Sequence, residues 1–249
     1  MTLQNERELL RTPVCIGMPR SASRMTWQVV KSFLPPEPIN WQEYTRSNIP
    51  TSLLESGYYR GAPWPPRSHD FVAGKQPVVY SYRDPVEAYL SLLVRGKKEV
   101  TRKDCAKEIL LHSQIQEKLK VSQKSGRKVL WLKYEKYFKN DRKRVEEVSK
   151  FLNMKLTALQ KENILNYVNL DTNLKRSKQF PRHETENTFR TWEDVDSGIQ
   201  AYHINENTKG EIGKYFKLYP DELKRVLDAP KNTILGQLTL FAQSLNYTY

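Results

Sequence analysis

The residues of this sequence with the clearest chemical potential lie in a turn after a short apolar run. The run Pro13–Gly17 is typical of a buried strand, and apolar residues with helical spacing resume at Met25. Such a strand-to-helix turn presents free backbone N–H groups and the positive end of the helix dipole. Arg20, Ser21 and Ser23 add side-chain donors. The turn therefore predicts an anion-binding site.

This turn differs from the P-loop that binds ATP in nucleotide kinases. The Gly-x-x-x-x-Gly-Lys-Ser/Thr spacing is absent, and no Ser or Thr follows a lysine there to hold magnesium. A kinase is therefore disfavoured, although a kinase-like strand, phosphate-binding loop and helix are still predicted. Taken alone, the stretch also suits an ordinary structural turn with a surface arginine.

The length and the net charge limit the classes of protein to which this chain can belong. The 249 residues suffice for one sizeable domain, predicted to span residues 1–249, and the formal net charge is +13. That charge predicts an anionic partner, which can be nucleic acid, a membrane surface or a phosphorylated small molecule. Much of it lies in basic runs that also suit solvated helix faces. Cys15 and Cys105 indicate neither a disulfide framework nor a metal cluster.

The distribution of apolar residues and the number of cysteines predict the cellular compartment of the protein. The first residues are polar and charged, without the apolar core of a signal peptide. No apolar run reaches the roughly 18 residues that a membrane span needs. With so few cysteines, a reducing compartment fits. We therefore expect a cytoplasmic protein that neither is secreted nor spans a membrane.

The order of predicted elements indicates a central parallel sheet flanked by helices. Continuous apolar runs predict buried strands at Pro77–Tyr82 and Val129–Leu132. The predicted helices are Pro85 to about Val94, Asp104–Lys124, Asp141–Leu152, Asp221–Leu227 and Ile234–Leu245. A proline-rich loop at about 34–66 and a lid-like loop at about 175–213 interrupt this pattern. The alternation predicts the α/β class.

Three segments of the chain occur in an order typical of one enzyme family. They are Gly17-Met-Pro-Arg-Ser-Ala-Ser, Tyr80-Ser-Tyr-Arg83-Asp-Pro85 followed by Ser91, and Val129-Leu-Trp-Leu-Lys-Tyr134-Glu135 leading into Phe151-Leu152. Together they resemble the signatures of the sulfotransferases that use PAPS (3′-phosphoadenosine 5′-phosphosulfate). Two weaker matches are Arg67-Ser68-His69, similar to the family's Lys-x-His, and Gly210-Glu-Ile-Gly213-Lys214, similar to its late glycine-rich loop.

The resemblance implies that the chain binds PAPS without a metal and releases 3′-phosphoadenosine 5′-phosphate (PAP). Arg83 and Ser91 would hold the 3′-phosphate, and Tyr134 with Trp27 would contact the adenine. His69 would be the catalytic base. Arg20 and Arg67 would stabilise charge on the leaving phosphate oxygen. The other implied PAPS-binding residues are Ser21, Ala22, Ser23, Arg24, Thr26, Lys209, Gly210, Gly213 and Lys214.

The first loop departs from the family pattern at two points. Ala22 stands where glycine is usual, and two additional residues precede Thr26-Trp27. Either Arg24 or Thr26 therefore takes the place of the usual threonine. An alanine replaces glycine without strain only where φ is negative, so we predict a negative φ at Ala22.

Three functions are compatible with these patterns. The first is sulfuryl transfer to a hydroxyl or amine of a small molecule, a glycan or a lipid. The second is binding of nucleic acid, which is not expected because no helix-turn-helix, zinc or RNA-recognition signature is present. The third is a degenerate homologue that binds PAPS without turnover. The remaining histidines, His112, His183 and His203, are predicted to be structural or surface residues.

Overall fold

The fold is built on a parallel sheet. The computed structural model describes residues 13–22, 25–26, 29–30, 33, 77–95, 101–137, 140–169, 172, 193–194, 199–200 and 211–249. Within these ranges, strands β1 (Val14–Gly17), β2 (Val78–Tyr82) and β3 (Val129–Lys133) form a parallel sheet in the order β1-β2-β3. All three strands therefore end at the same edge of the sheet.

The described helices follow the strands in the predicted order. They are α1 (Pro85–Arg95), α2 (Arg102–Lys124), α3 (Tyr134–Tyr137), α4 (Asp141–Phe151), α5 (Ala158–Val168), α6 (Lys214–Leu218), α7 (Pro220–Leu227) and α8 (Ile234–Ser244). Residues 25–26 and 29–30, beyond β1, are helical as well. A short antiparallel pair consists of β4 (Glu193–Asp194) and β5 (Ile199–Gln200).

Side-chain hydrogen bonds mark where several helices begin. Thr101 accepts from the backbone N–H of Asp104 at the start of α2, and Thr233 accepts from that of Gly236 at the start of α8. Thr157 and Gln160 form a reciprocal capping box at the start of α5. Each cap satisfies N–H groups that would otherwise have no partner within the helix.

Helices cover both faces of the sheet because the strand side chains alternate between the faces. Ile16 and Tyr80 face one side, where Leu119 of α2 is buried with them. Cys15 and Val79 face the other side, together with Val148 of α4. Strands buried on both faces read as continuous apolar runs, which is why the sequence shows no polar alternation there.

A further apolar cluster joins α1, α2 and α8 beside the sheet. Tyr89, Ile109 and Leu238 are fully buried in it, and Tyr215 of α6 also belongs to it. Both α6 and α8 pack against α1, the helix that follows the carboxyl end of β2.

The structure confirms the α/β class, the central parallel sheet and the flanking helices. The proline-rich loop at about 34–66 and most of the predicted lid at about 175–213 lie outside the described residues. None of the described helices combines the length and the apolar character needed to cross a membrane.

Candidate functional site

The turn after β1 is tied to the end of β2. The backbone N–H of Met18 donates to the carbonyl of Ser81 at 2.9 Å, which extends the strand pairing by one residue. The hydroxyl of Ser21 donates to the same carbonyl at 3.1 Å and lies 3.2 Å from the hydroxyl of Ser81. Ser21 is buried, so its hydroxyl anchors the turn to the sheet.

Two residues of this turn adopt the left-handed backbone conformation. Arg20 has a φ of +66° and Ala22 a φ of +57°. The prediction of a negative φ at Ala22 is therefore wrong. Arg20 lies inside the turn that the bond from Ser21 N to Met18 O closes, and the carbonyl of Ala22 accepts the helical bond from Thr26 N. For an alanine this conformation costs about 1 to 2 kcal/mol.

Arg20, Arg83 and Ser91 meet at the carboxyl ends of β1 and β2. Arg83 directly follows β2, and Ser91 lies two turns into α1. Arg20 Nε donates to Ser91 Oγ at 2.8 Å, while Arg83 Nη1 donates to the carbonyl oxygen of Arg20 at 3.0 Å. The predicted interval between Arg83 and Ser91 thus brings both residues to the turn. Arg20 itself is half-buried.

Arg83 is held in a buried ion pair with Glu87, a residue that sequence reasoning missed. Arg83 Nη2 lies 2.6 Å from Glu87 Oε2, and their side chains are 5% and 1% exposed. Burial is the strongest single influence on the pKa of Arg83 and lowers it, but Glu87, Tyr134 and Glu135 together outweigh burial and raise this pKa above its ordinary value. Within the described residues, Arg83 Nε and Glu87 Oε1 have no hydrogen-bond partner. The i,i+4 spacing of Arg83 and Glu87 in the sequence could have indicated this ion pair.

Tyr134 covers the other side of the Arg83 guanidinium. It follows β3 directly, and the guanidinium carbon of Arg83 lies 4.5 Å from the centre of its ring. This geometry is a cation–π contact. Burial raises the pKa of Tyr134, while the charge of Arg83 opposes that shift. The predicted site residues Arg83 and Tyr134 are thus neighbours in space.

Two carboxylates organise the strand ends around Arg83. Asp84 Oδ1 accepts from the backbone N–H groups of Val86 at 2.8 Å and Glu87 at 3.2 Å, which caps the start of α1. The backbone N–H of Asp84 donates to Glu135 Oε1 at 3.0 Å and so joins the ends of β2 and β3. Burial raises the pKa of Asp84, and hydrogen bonds, above all the one from Tyr249, oppose that rise.

Two tyrosines from the end of the described chain contact these carboxylates. Tyr247 donates its hydroxyl proton to Glu135 Oε2 at 2.8 Å, and Tyr249 donates to Asp84 Oδ1 at 2.7 Å. Sequence reasoning missed both residues, since the tyrosines lie far from their partners along the chain and belong to no motif.

The other predicted site residues fall into two groups. Gly213 has a φ of +73° and directly precedes α6, which begins at Lys214 and packs against α1. Thr26 is buried in the helix after the turn. His112, predicted to be structural or exposed, is fully buried and bonded to the Tyr80 hydroxyl at 2.9 Å. Ser23, Arg24, Trp27, Arg67, His69, Lys209 and Gly210 lie outside the described residues, as do His183 and His203.

Comparisons with known proteins identify relatives of this fold. The profile of the family described as Sulfotransferase domain matches residues 63–228. The crystal structure of mouse sulfotransferase SULT7A1 complexed with PAP aligns with a TM-score of 0.51 at 13% identity, and the alignment covers 98% of this chain and 96% of that chain. At that identity the alignment shows a shared fold. No curated protein sequence matches significantly.

Proposed function

Because the chain belongs to the Sulfotransferase domain family, we propose that it transfers a sulfuryl group from PAPS to a hydroxyl or amine of an acceptor. The observation that carries this proposal is the network of Arg20, Arg83 and Ser91 at the carboxyl ends of the parallel strands. In open α/β sheets, this edge is where ligands bind. The PAP complex of the mouse sulfotransferase with the same fold supports the choice of PAPS as donor.

The residues of the site suit an anionic ligand with two phosphate positions. Arg20 is half-buried and uses its Nε for Ser91. Its other guanidinium donors would then bind one phosphate, and the Ser91 hydroxyl would donate to the second. Arg83 Nε, which has no hydrogen-bond partner within the described residues, would supply a further donor. A charge-assisted hydrogen bond of this kind contributes more than a neutral one.

The chemistry proposed for these residues is positioning and charge stabilisation. In an in-line transfer, the bond between sulfur and the leaving phosphate oxygen breaks as the acceptor oxygen or nitrogen bonds to sulfur. The Arg20 guanidinium would stabilise negative charge developing on the leaving oxygen. The acceptor proton would pass to His69, since an imidazole titrates near neutral pH. Arg67 would add to the stabilisation of charge on the leaving oxygen.

A second candidate is a homologue that binds PAP or PAPS without turnover. The observation that favours it is the altered loop after β1, in which Ala22 stands where glycine is usual in the family and has a φ of +57°. In this reading the nucleotide contributes to stability or to regulation. The two candidates differ in one measurable property, which is transfer of the sulfuryl group to an acceptor.

Calorimetric titration with PAP tests the donor site. We expect micromolar or tighter binding by the wild type, and Arg83→Ala should weaken it by about 2 kcal/mol, or roughly 30-fold, through loss of a charged donor. Arg225→Ala is the matched control, because Arg225 pairs with Glu222 at the surface with its side chain 57% exposed. It should leave PAP affinity unchanged.

The outcomes separate the candidate functions. Undetectable PAP binding by the wild type would refute the proposal. PAP binding combined with transfer of labelled sulfuryl groups to phenolic, alcohol, amine or glycan acceptors supports the enzyme, and His69→Ala should then abolish transfer while retaining PAP binding. PAP binding without transfer to any acceptor class supports the homologue without turnover. Nucleic-acid binding that depends steeply on salt, without PAP binding, supports the nucleic-acid reading.

A further inference from the structure

The segment after α8 returns to the strand ends beside Arg83. There, the Tyr247 hydroxyl donates to Glu135 at 2.8 Å and the Tyr249 hydroxyl donates to Asp84 at 2.7 Å. Burial raises the pKa of both phenols, so they remain protonated donors at neutral pH. Each tyrosine is therefore a neutral donor to one carboxylate, of which Glu135 is half-buried and Asp84 is buried.

The carboxylates of Asp84 and Glu135 hold the backbone of the turn that contains Arg83. Asp84 accepts from the backbone N–H groups of Val86 and Glu87, and Glu135 accepts from the backbone N–H of Asp84. A hydrogen bond to either carboxylate consequently restrains the backbone next to Arg83, and with it the position of the Arg83 guanidinium. Glu87, the ion-pair partner of Arg83, lies on the same capped turn of α1.

The tyrosine rings add contacts from two other elements. Lys133 Nζ of β3 lies 4.0 Å from the centre of the Tyr247 ring. The Phe216 ring of α6 packs edge-on against Tyr249, with ring centres 5.7 Å apart and planes at 89°. These contacts restrict both side chains, although Tyr249 is 46% exposed, and so reduce the entropy lost in forming the two hydrogen bonds.

We infer that Tyr247 and Tyr249 are positioning residues for the donor site, acting through Glu135 and Asp84 on the orientation of Arg83. This inference rests on the proposed function for its link to PAP. The tyrosines themselves contact neither Arg83 nor Ser91 through any described hydrogen bond. Without their hydroxyls, both carboxylates lose a neutral donor in a partly buried setting, and the turn that they organise becomes less restrained.

The test uses substitutions that remove only a hydroxyl. Tyr247→Phe and Tyr249→Phe keep the ring contacts. Tyr89→Phe is the matched control, because Tyr89 also donates to a carboxylate, Glu222 Oε1, at 2.8 Å, but it does so between α1 and α7. All three variants lose a bond of the same chemistry, so a general loss of stability affects them alike.

Two measurements are made on each folded variant well below its unfolding temperature. Hydrogen exchange without ligand reports the backbone amides of Val86 and Glu87, which should exchange about tenfold faster in Tyr249→Phe as their acceptor Asp84 loosens. The amide of Asp84 should respond in the same way in Tyr247→Phe, because its acceptor is Glu135. PAP affinity should fall about fivefold in either site variant. In an Arg83→Ala background, Tyr249→Phe should have little further effect on PAP affinity, because the tyrosine acts through Arg83.

The outcomes also distinguish this inference from the proposed function. Unchanged exchange in both site variants, or an equal rise in exchange at these amides in Tyr89→Phe, would overturn the inference. Faster exchange with unchanged PAP affinity would overturn the link to the donor. If the wild type bound no PAP, the proposed function and that link would fall together, while exchange would still decide whether the tyrosines restrain the turn.

Discussion

Glu87→Gln tests the most unusual electrostatic feature of the site. Glu87 and Arg83 form an ion pair at 2.6 Å with side chains that are 1% and 5% exposed. Glutamine has nearly the same shape as glutamate, so the substitution removes the negative charge with little change in packing. The buried guanidinium of Arg83 then has no counter-charge at that position.

Breaking a buried pair by removing one charge costs about 3 to 5 kcal/mol of unfolding free energy. Arg83 would keep its hydrogen bond to the Arg20 carbonyl and its contact with the Tyr134 ring, and these contacts compensate part of the loss. We therefore expect a loss near the lower end, about 3 kcal/mol, which corresponds to a fall in Tm of roughly 6 to 12 °C for a chain of this size.

Urea unfolding followed by tryptophan fluorescence measures this loss. Glu117→Gln is the matched control, since Glu117 pairs with Lys120 at 2.7 Å and its side chain is 66% exposed. An exposed pair contributes at most about 0.5 kcal/mol, so the control should resemble the wild type. A Glu87→Gln loss no larger than that of the control, at an unchanged m-value, would refute the reasoning about the buried pair.

The same variant connects stability to the proposed ligand. In Glu87→Gln the uncompensated charge of Arg83 becomes available to an anion. Saturating PAP should therefore raise the urea midpoint of the variant more than that of the wild type, because a ligand that binds only the folded state stabilises it according to its affinity. An equal rise in both proteins would contradict the placement of Arg83 at a phosphate site.

Two further predictions concern the turn after β1 and the buried histidine. Ala22→Gly should raise the unfolding free energy by up to about 1 kcal/mol, because removal of the left-handed strain exceeds the entropy cost of glycine. Gly213→Ala, also at positive φ, should lower the unfolding free energy. A lower urea midpoint for Ala22→Gly than for the wild type would contradict this account. Burial lowers the pKa of His112 from 6.5 to about 3. The unfolded chain therefore binds this proton more readily, so stability is full above pH ~6.5 and falls as the pH drops toward ~3. His112→Gln should flatten the dependence of the urea midpoint on pH between 7 and 4, whereas parallel curves would exclude this contribution.

The strands and most helices could be predicted because local patterns determine them. Val78–Tyr82 is a continuous apolar run, and Pro85 is well suited to the first turn of the helix that follows it. The helix bounds differ from prediction by only one or two residues; α2, for example, begins at Arg102 where Asp104 was expected. End residues are the least determined because their hydrogen bonds are shared with caps and solvent.

The site could be predicted only in part. The spacing of Arg83 and Ser91 brings both residues to the same place, because a strand end and a point two helical turns later lie on one side of the sheet edge. The bond from Arg20 to Ser91 depends in addition on the parallel pairing of β1 with β2, which brings two distant turns together. The roles assigned to His69 and Arg67 stay predictions, as both residues lie outside the described part of the chain.

The sequence by itself determined the order of strands and helices, the basic and hydroxyl-bearing turn, and the motifs that place residues at strand ends, because each depends on neighbours a few positions away. The tertiary structure alone decided the left-handed φ of Ala22 and the contacts of Tyr247 and Tyr249. Those tyrosines bond to residues 112 and 165 positions earlier in the chain. Such contacts follow from how helices pack on the sheet, and no local pattern encodes that packing.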